Sequence, residues 1–355
     1  VLDDSPNILE NPYIRMTSIR PDKLLQIIDS PSPRPVANFT FALNYYFHQL
    51  HPFGYHAVNI LIHILTAILI FLVMTQTLRL LKDNASCFMP LAATLLWLVH
   101  PVHTQSVTYV VQRMTAMSTM FYLLALLCYI KARSVPQGTP GQRIKIIVLV
   151  VITVLAGFLG LLSKQIIATL PVFLFLYEWF FIRQLDISKL KIELKKQIKW
   201  IVPIAGLFLV LSLVYLGDSP VEKILRGYAK RDFTPCERLL TQPGVVVFYI
   251  SLLFFPHPAR LNLDHDFPLS QGFLSPETTI LAIIALLALL IGTIVAARRH
   301  RLPAFAIIWF LGNLIIESSV IGLELIFEHR VYLPSIFPVM AVTWLLLNYL
   351  KPQPL

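Results

Sequence analysis

The sequence predicts an all-α polytopic membrane protein, and three observations carry that assignment. Apolar residues make up 56% of the 355 positions and charged residues only 14%, well below the roughly 25% charge of soluble domains. Apolar runs of helix length recur along the whole chain. Lys and Arg crowd the loops on alternate sides of those runs.

The strong runs are 54–78, 146–163, 199–216, 277–297 and 331–350, each near the ~20 residues that a helix needs to cross a ~30 Å hydrocarbon layer. Weaker or interrupted runs at 88–101, 114–131, 166–182 and 302–318 alternate with them, which gives nine crossings. The stretch 239–255 is a doubtful tenth, because Pro243 and Gly244 near its start favour a broken, re-entrant or interfacial element.

In chain order, residues 1–53 form a large first non-cytoplasmic loop, too short for an independent core. An acidic pair precedes any apolar run and no signal-peptide pattern is visible, so a first transmembrane helix is expected upstream. Residues 54–217 hold the first group of helices, and 218–276 form a second non-cytoplasmic loop containing 239–255. The last three helices occupy 277–350, with a tail at 351–355.

With the loop after residue 78 placed inside and each run crossing once, the cytoplasmic side collects sixteen Lys and Arg against four Asp and Glu. The other side holds thirteen against fifteen. This is the positive-inside pattern, and it accounts for the net charge of +10 without nucleic acid. The basic run from Lys189 to Lys199 lacks interleaved aromatics and sits between two apolar runs, which fits topology and anionic lipid. Cys87, Cys128 and Cys236 form no CxxC pair and no disulfide framework.

The outer face gathers the unusual polar and ionisable groups: Asp3, Asp4, Arg34, His100, His103, Gln105, Arg113, Lys164, Arg238, Asp264, Asp266, Glu328, His329 and Arg330. Charge near the hydrocarbon boundary is costly, so convergence on one side points to a site. Asp3 and Asp4 have the chemistry of a general base, each raising the other's pKa, although Asp-Asp-Ser-Pro-Asn is also ordinary turn chemistry. Arg113 opens an apolar helix, and a guanidinium there suits a phosphate headgroup. Lys164 either snorkels or meets phosphate, and Glu328-His329-Arg330 makes an anion-binding corner or a salt-bridged plug. His100 and His103 lack a third ligand and Pro101 interrupts their helix, so they read as structural. Asp264-His265-Asp266 reads equally as a metal motif or a polar loop. No phosphate-binding glycine loop and no Ser-His-Asp arrangement is present.

Taken in order, several motifs resemble one family. They are Leu2-Asp3-Asp4-Ser5-Pro6-Asn7, Arg34-Pro35, His51-Pro52-Phe53-Gly54-Tyr55-His56, His100-Pro101-Val102-His103-Thr104-Gln105 and Tyr109-Val110-Val111-Gln112-Arg113. Leu162-Ser163-Lys164, Asp264-His265-Asp266-Phe267-Pro268 and Glu328-His329-Arg330-Val331-Tyr332-Leu333-Pro334-Ser335 extend the match. Together they resemble the transmembrane and TPR-containing O-mannosyltransferases and their bacterial relatives, and Gln112-Arg113-Met114 is closest to the bacterial wording.

The resemblance implies a GT-C helical bundle that moves a sugar from a polyprenyl-phosphate carrier to a protein Ser or Thr hydroxyl on the non-cytoplasmic face, with inversion. It assigns the acidic motif to Asp3 and Asp4, with Asp3 as base. The phosphate and sugar are expected at Arg34, His103, Gln105, Arg113, Lys164, Arg238, Glu328, His329 and Arg330. The bacterial inner membrane, facing the periplasm, is the expected location, with the endoplasmic reticulum as the alternative. The lipid-linked sugar is the expected donor, and membrane lipids are the other partner. A divalent metal is compatible with the acidic pair but nothing indicates one. Two departures stand out: Gln165 replaces a Glu common in relatives, and the sequence stops at Leu355, so the TPR repeats common after the last span in relatives are expected either beyond it or not to be needed for the acceptor. A transporter is the competing class, but its polar groups would sit near mid-membrane. A non-catalytic lipid- or protein-binding partner is the third.

Overall fold

The computed structural model describes residues 3–28, 30, 34–82, 88–138, 140–186, 188, 225, 227–229 and 231–349. The expected crossing at 199–216, the basic run from Lys189 to Lys199, Cys87, Arg226 and the tail 351–355 lie outside them. Among the described residues the elements are helical and no strand occurs. Six helices are long and apolar enough to span a bilayer: Pro52–Leu80, Val110–Arg133, Gln142–Leu161, Gln165–Ile182, Pro235–Phe254 and Thr278–Ala296. Phe88–Leu98, Arg301–Leu314 and Ile336–Tyr349 are shorter apolar helices. The chain is an integral membrane protein.

It divides into two compact units interleaved in sequence, the first made of 1–174, 252–263 and 328–355, the second of 175–251 and 264–327. In the first unit, α1 (Pro21–Ile28) and α2 (Pro35–His48) belong to the outer loop. Then come α3 (Pro52–Leu80), α4 (Phe88–Leu98), the short α5 (Thr104–Thr108), α6 (Arg113–Arg133) and α7 (Gln142–Leu161). The first unit also receives most of α8 (Leu170–Tyr177). Proline at the first helical position, with its fixed φ, starts α1, α2 and α3. Gln49, at φ 51°, ends α2 and turns the chain into α3. Gly54 lets α3 close on α2: a Cβ there would overlap the His48 ring, and the Asn44 amide donates to the Gly54 carbonyl (3.0 Å).

α6 is the central helix, packed between α3 and α7 and largely buried. α7 buries little, presenting Ile147, Val151, Val154 and Phe158 outward. That much apolar surface is costly in water and suited to lipid tails. The outer loop is itself packed: Ile8, Ile14, Met16 and Ile27 form a small core with Phe41, Tyr55, Tyr109 and Val111. Its acidic start is thereby held against the mouth of α6.

The second unit contains the aromatic end of the fourth span, where Tyr177, Phe180 and Phe181 pack edge to face against Phe305 of a later helix. It continues with α9 (Pro235–Phe254), α10 (Thr278–Ala296) and α11 (Arg301–Leu314). The expected break at 239–255 is corrected: α9 is one helix of 20 residues with Pro243 inside it. A proline removes one backbone bond but not the remainder of the ladder. Irregular residues 315–327 run beside α9, since Arg238 and Gln242 near its start and Tyr249 near its end all bond carbonyls of that segment. The final helix, α12 (Ile336–Tyr349), belongs to the first unit and packs on α4, where the Trp97 indole donates to Ser335 (2.9 Å).

Candidate functional site

The acidic pair is held by the short segment between α5 and α6. The Asp3 backbone N–H donates to the Tyr109 hydroxyl (2.5 Å), and the Val111 N–H donates to Asp4 Oδ1 (2.9 Å). The two carboxylates thus differ in kind. Asp3 is exposed, whereas Asp4 is partly buried and its carboxylate anchors the loop. Burial raises the Asp4 pKa, with the Val111 bond opposing and the Asp3 charge adding to the rise. Tyr109, pushed up to about 12 by burial, keeps its proton at every working pH.

Six residues before Val111, Gln105 touches a second group. Its Oε1 accepts from the backbone N–H of His329 (2.8 Å) and lies 2.9 Å from His329 Nδ1. A backbone N–H can only donate, so this end of the amide is oxygen, Nδ1 carries the ring proton and Nε2 has the lone pair. Burial holds the His329 pKa well below its usual range, and the positive charges of Lys164, Arg330 and Arg34 push the same way. His329 is therefore a neutral ring under the influence of three cations. Backbone pairing brings two of their elements together, because the Val36 N–H at the start of α2 donates to the Leu162 carbonyl at the end of α7 (3.3 Å). Lys164 Nζ donates to the Thr115 hydroxyl (2.9 Å), which donates to Gln112 Oε1 (2.8 Å). Arg34 Nη1 lies 3.0 Å from Met114 Sδ. Glu328 Oε1 accepts from the Asn262 N–H (2.6 Å).

Of these residues Gln105, Tyr109, Asn262 and Glu328 border a cleft of about 560 Å³ in the first unit, with Thr104 and Thr108 completing its polar side. The chain from Gln105 to Val111 touches the acidic pair at one end and His329 at the other. Six residues fully extended span no more than about 20 Å, and α5 is shorter still for its length. The first unit therefore holds the acidic pair and a neutral imidazole, with cations around the imidazole, within about 20 Å along one short segment.

Three residues expected at the phosphate have other work. Arg113 is fully buried: Nε donates to Asn59 Oδ1 (2.7 Å), Nη1 to the Thr40 carbonyl (3.2 Å) and Nη2 to the Tyr55 carbonyl (3.0 Å), with the Phe41 ring 4.6 Å away. It clamps α2, α3 and α6, and its donors face protein acceptors rather than a headgroup. Arg238, also fully buried, lies in the second unit and donates to the carbonyls of Glu317, Ser319, Leu323 and Glu324. His103 is 2% exposed, within a ring cluster of Trp97, His63 and Tyr332, and burial drives its pKa well below the usual range. His63 shares that role, bonded to Tyr332 and to the Leu98 carbonyl.

Tyr109, Thr115 and Asn262 join the site although no charge marked them in the sequence. An aromatic hydroxyl just before an apolar helix was the one available signal for Tyr109. Among the described residues no group of three His, Cys, Asp or Glu is placed to hold a metal.

Comparison with known proteins finds relatives named as protein O-mannosyl-transferases. The chain is 32% identical over 179 residues to a protein O-mannosyl-transferase of Caenorhabditis elegans, F38B6.6, a match covering 47% of this chain and 24% of the relative. It is 39% identical over 102 residues to the human protein O-mannosyl-transferase TMTC3, covering 29% of this chain and 10% of that protein. The mouse protein O-mannosyl-transferase TMTC4 is 31% identical over 182 residues, covering 46% of this chain and 24% of that protein. The chain thus matches about a quarter or less of the length of these relatives. No family model matches. No solved structure matches.

Proposed function

We propose that this membrane protein transfers a mannosyl group from a polyprenyl-phosphate carrier to a hydroxyl of a protein acceptor, on the non-cytoplasmic face. The observation that carries the proposal is the segment from Gln105 to Val111, which bonds the Asp3–Asp4 loop at one end and the His329 group at the other. The relatives' printed activity, protein O-mannosyl transfer, supplies the sugar and the acceptor class.

In this reading the exposed Asp3 carboxylate takes the proton of the acceptor hydroxyl as its oxygen attacks the anomeric carbon. The new C–O bond forms as the bond from that carbon to the phosphate oxygen breaks, and the electron pair leaves with the lipid phosphate. Lys164, Arg330 and Arg34 stabilise the charge growing on that phosphate. A neutral His329 keeps Nε2 as an acceptor for a sugar or acceptor hydroxyl. Asp4 positions the loop through Val111.

The test is intact-mass analysis of membrane and surface proteins from cells carrying the native gene, no gene, or Asp3→Asn. Hexose adducts present only with the native gene support the reading. Adducts that persist at native level with Asp3→Asn refute it.

A further inference from the structure

We infer that the cleft between α5 and residues 258–263 seats the acceptor polypeptide as an extended segment and selects against acidic residues beside the modified hydroxyl; this rests on the transferase reading above. Its charge and composition argue for that occupant. Among the described lining residues Glu328 is the one charged group, and no Lys or Arg lines the cleft. The described lining therefore offers a phosphate-bearing carrier no cation, while the cations act around His329. The remaining lining is what a neutral peptide uses. Pro101, Pro258, Leu261 and Leu263 give apolar surface, and Thr104, Thr108 and Asn262 give hydroxyl and amide groups.

Two further observations support the assignment. Gln105 is 5% exposed, and its Nε2 has no hydrogen-bond partner among the described residues, so a buried amide donor on the cleft wall awaits an acceptor such as a peptide carbonyl. Thr104, Thr108, Pro258 and Asn262 are exposed, and the cleft's volume lies within the range of ligand pockets of about 300–1,000 Å³, enough for several residues of chain. Tyr109 lines the cleft and its hydroxyl accepts from the Asp3 N–H, so a Ser or Thr carried by the occupant is delivered near the acidic pair.

The experiment uses full-length protein in solubilised membranes and two synthetic peptides. Each carries one Thr and a benzophenone residue two positions away; alanine flanks the Thr in one and aspartate in the other. Photocrosslinking reports seating without turnover. The expected crosslinks fall in residues 101–109 and 258–263 and disappear when Thr108→Trp fills the cleft. That variant raises KM for the alanine peptide on the order of tenfold and leaves binding of the lipid-linked sugar unchanged. The aspartate peptide binds about tenfold more weakly than the alanine peptide, and Glu328→Gln closes that gap. Loss of donor binding in Thr108→Trp, crosslinks elsewhere, or equal binding of the two peptides overturns the inference. Cleft crosslinks with no sugar transfer by the native protein would leave the acceptor seat standing and defeat the transferase reading alone.

Discussion

The Tyr109 hydroxyl accepts a hydrogen bond from the backbone N–H of Asp3, 2.5 Å away and 106 positions earlier in the chain. Tyr109 is otherwise packed in the small core of the outer loop. The contact therefore transmits the position of a rigid ring to an exposed carboxylate. Tyr109→Phe keeps the packing and removes the bond, at about 1 kcal/mol. Transfer should fall about fivefold in kcat, with KM for the lipid-linked donor unchanged. A fall in donor affinity instead would show that Tyr109 binds the carrier.

The two acidic residues should separate in their effects. Asp3→Asn is expected to abolish sugar transfer while the protein stays in the membrane at native level. Asp4→Ala removes the acceptor for the Val111 N–H and should lower thermal stability by about 1–3 kcal/mol as well as activity. Full activity in Asp3→Asn would move the base elsewhere.

Asp4 also predicts a pH effect on stability. Burial raises its pKa above the usual carboxylate value of 3.8. Between that value and the raised one the folded chain binds more protons than the unfolded chain, so this group's contribution falls as pH rises through the window. Asp4→Asn should flatten the dependence. Melting curves in a series of acidic buffers measure it, and an unchanged slope in the variant contradicts the assignment.

Gln105 sets the His329 tautomer and sits beside a ring held neutral by burial. Gln105→Glu places a carboxylate there, which favours the imidazolium and raises the His329 pKa. The acidic limb of the pH–rate profile should move to higher pH, and Gln105→Asn should not move it that way. A profile identical to native in Gln105→Glu would exclude His329 from the reaction.

Arg113 should behave as a structural clamp. Lysine cannot reproduce bonds to Asn59, Thr40 and Tyr55 from one planar group, so Arg113→Lys should destabilise the protein by about 3 kcal/mol. Residual folded variant should bind donor normally. Native stability with weakened donor binding would restore Arg113 to the phosphate.

Much of this molecule was legible from pattern alone. Hydropathy located the spanning helices because lipid demands long apolar runs. The acidic pair and Glu328-His329-Arg330 stood out because ionised groups near hydrocarbon need a reason. At 239–255 the same local logic erred. Pro243 marks a weakened ladder, but its neighbours on either side sustain one helix.

What sequence left undecided was which groups each cation meets. Arg113, Arg238, Lys164 and Arg330 look alike as basic residues beside apolar runs. Folding separates them through acceptors distant in the chain. Arg113 meets groups at positions 40, 55 and 59, and Arg238 meets carbonyls at 317–324. Composition and local spacing determined the apolar helices and which ionisable groups lie beside their ends. Only the tertiary structure decided which charges those carbonyls absorb and which act around His329, because a guanidinium's partners are fixed by packing between helices that no local pattern encodes.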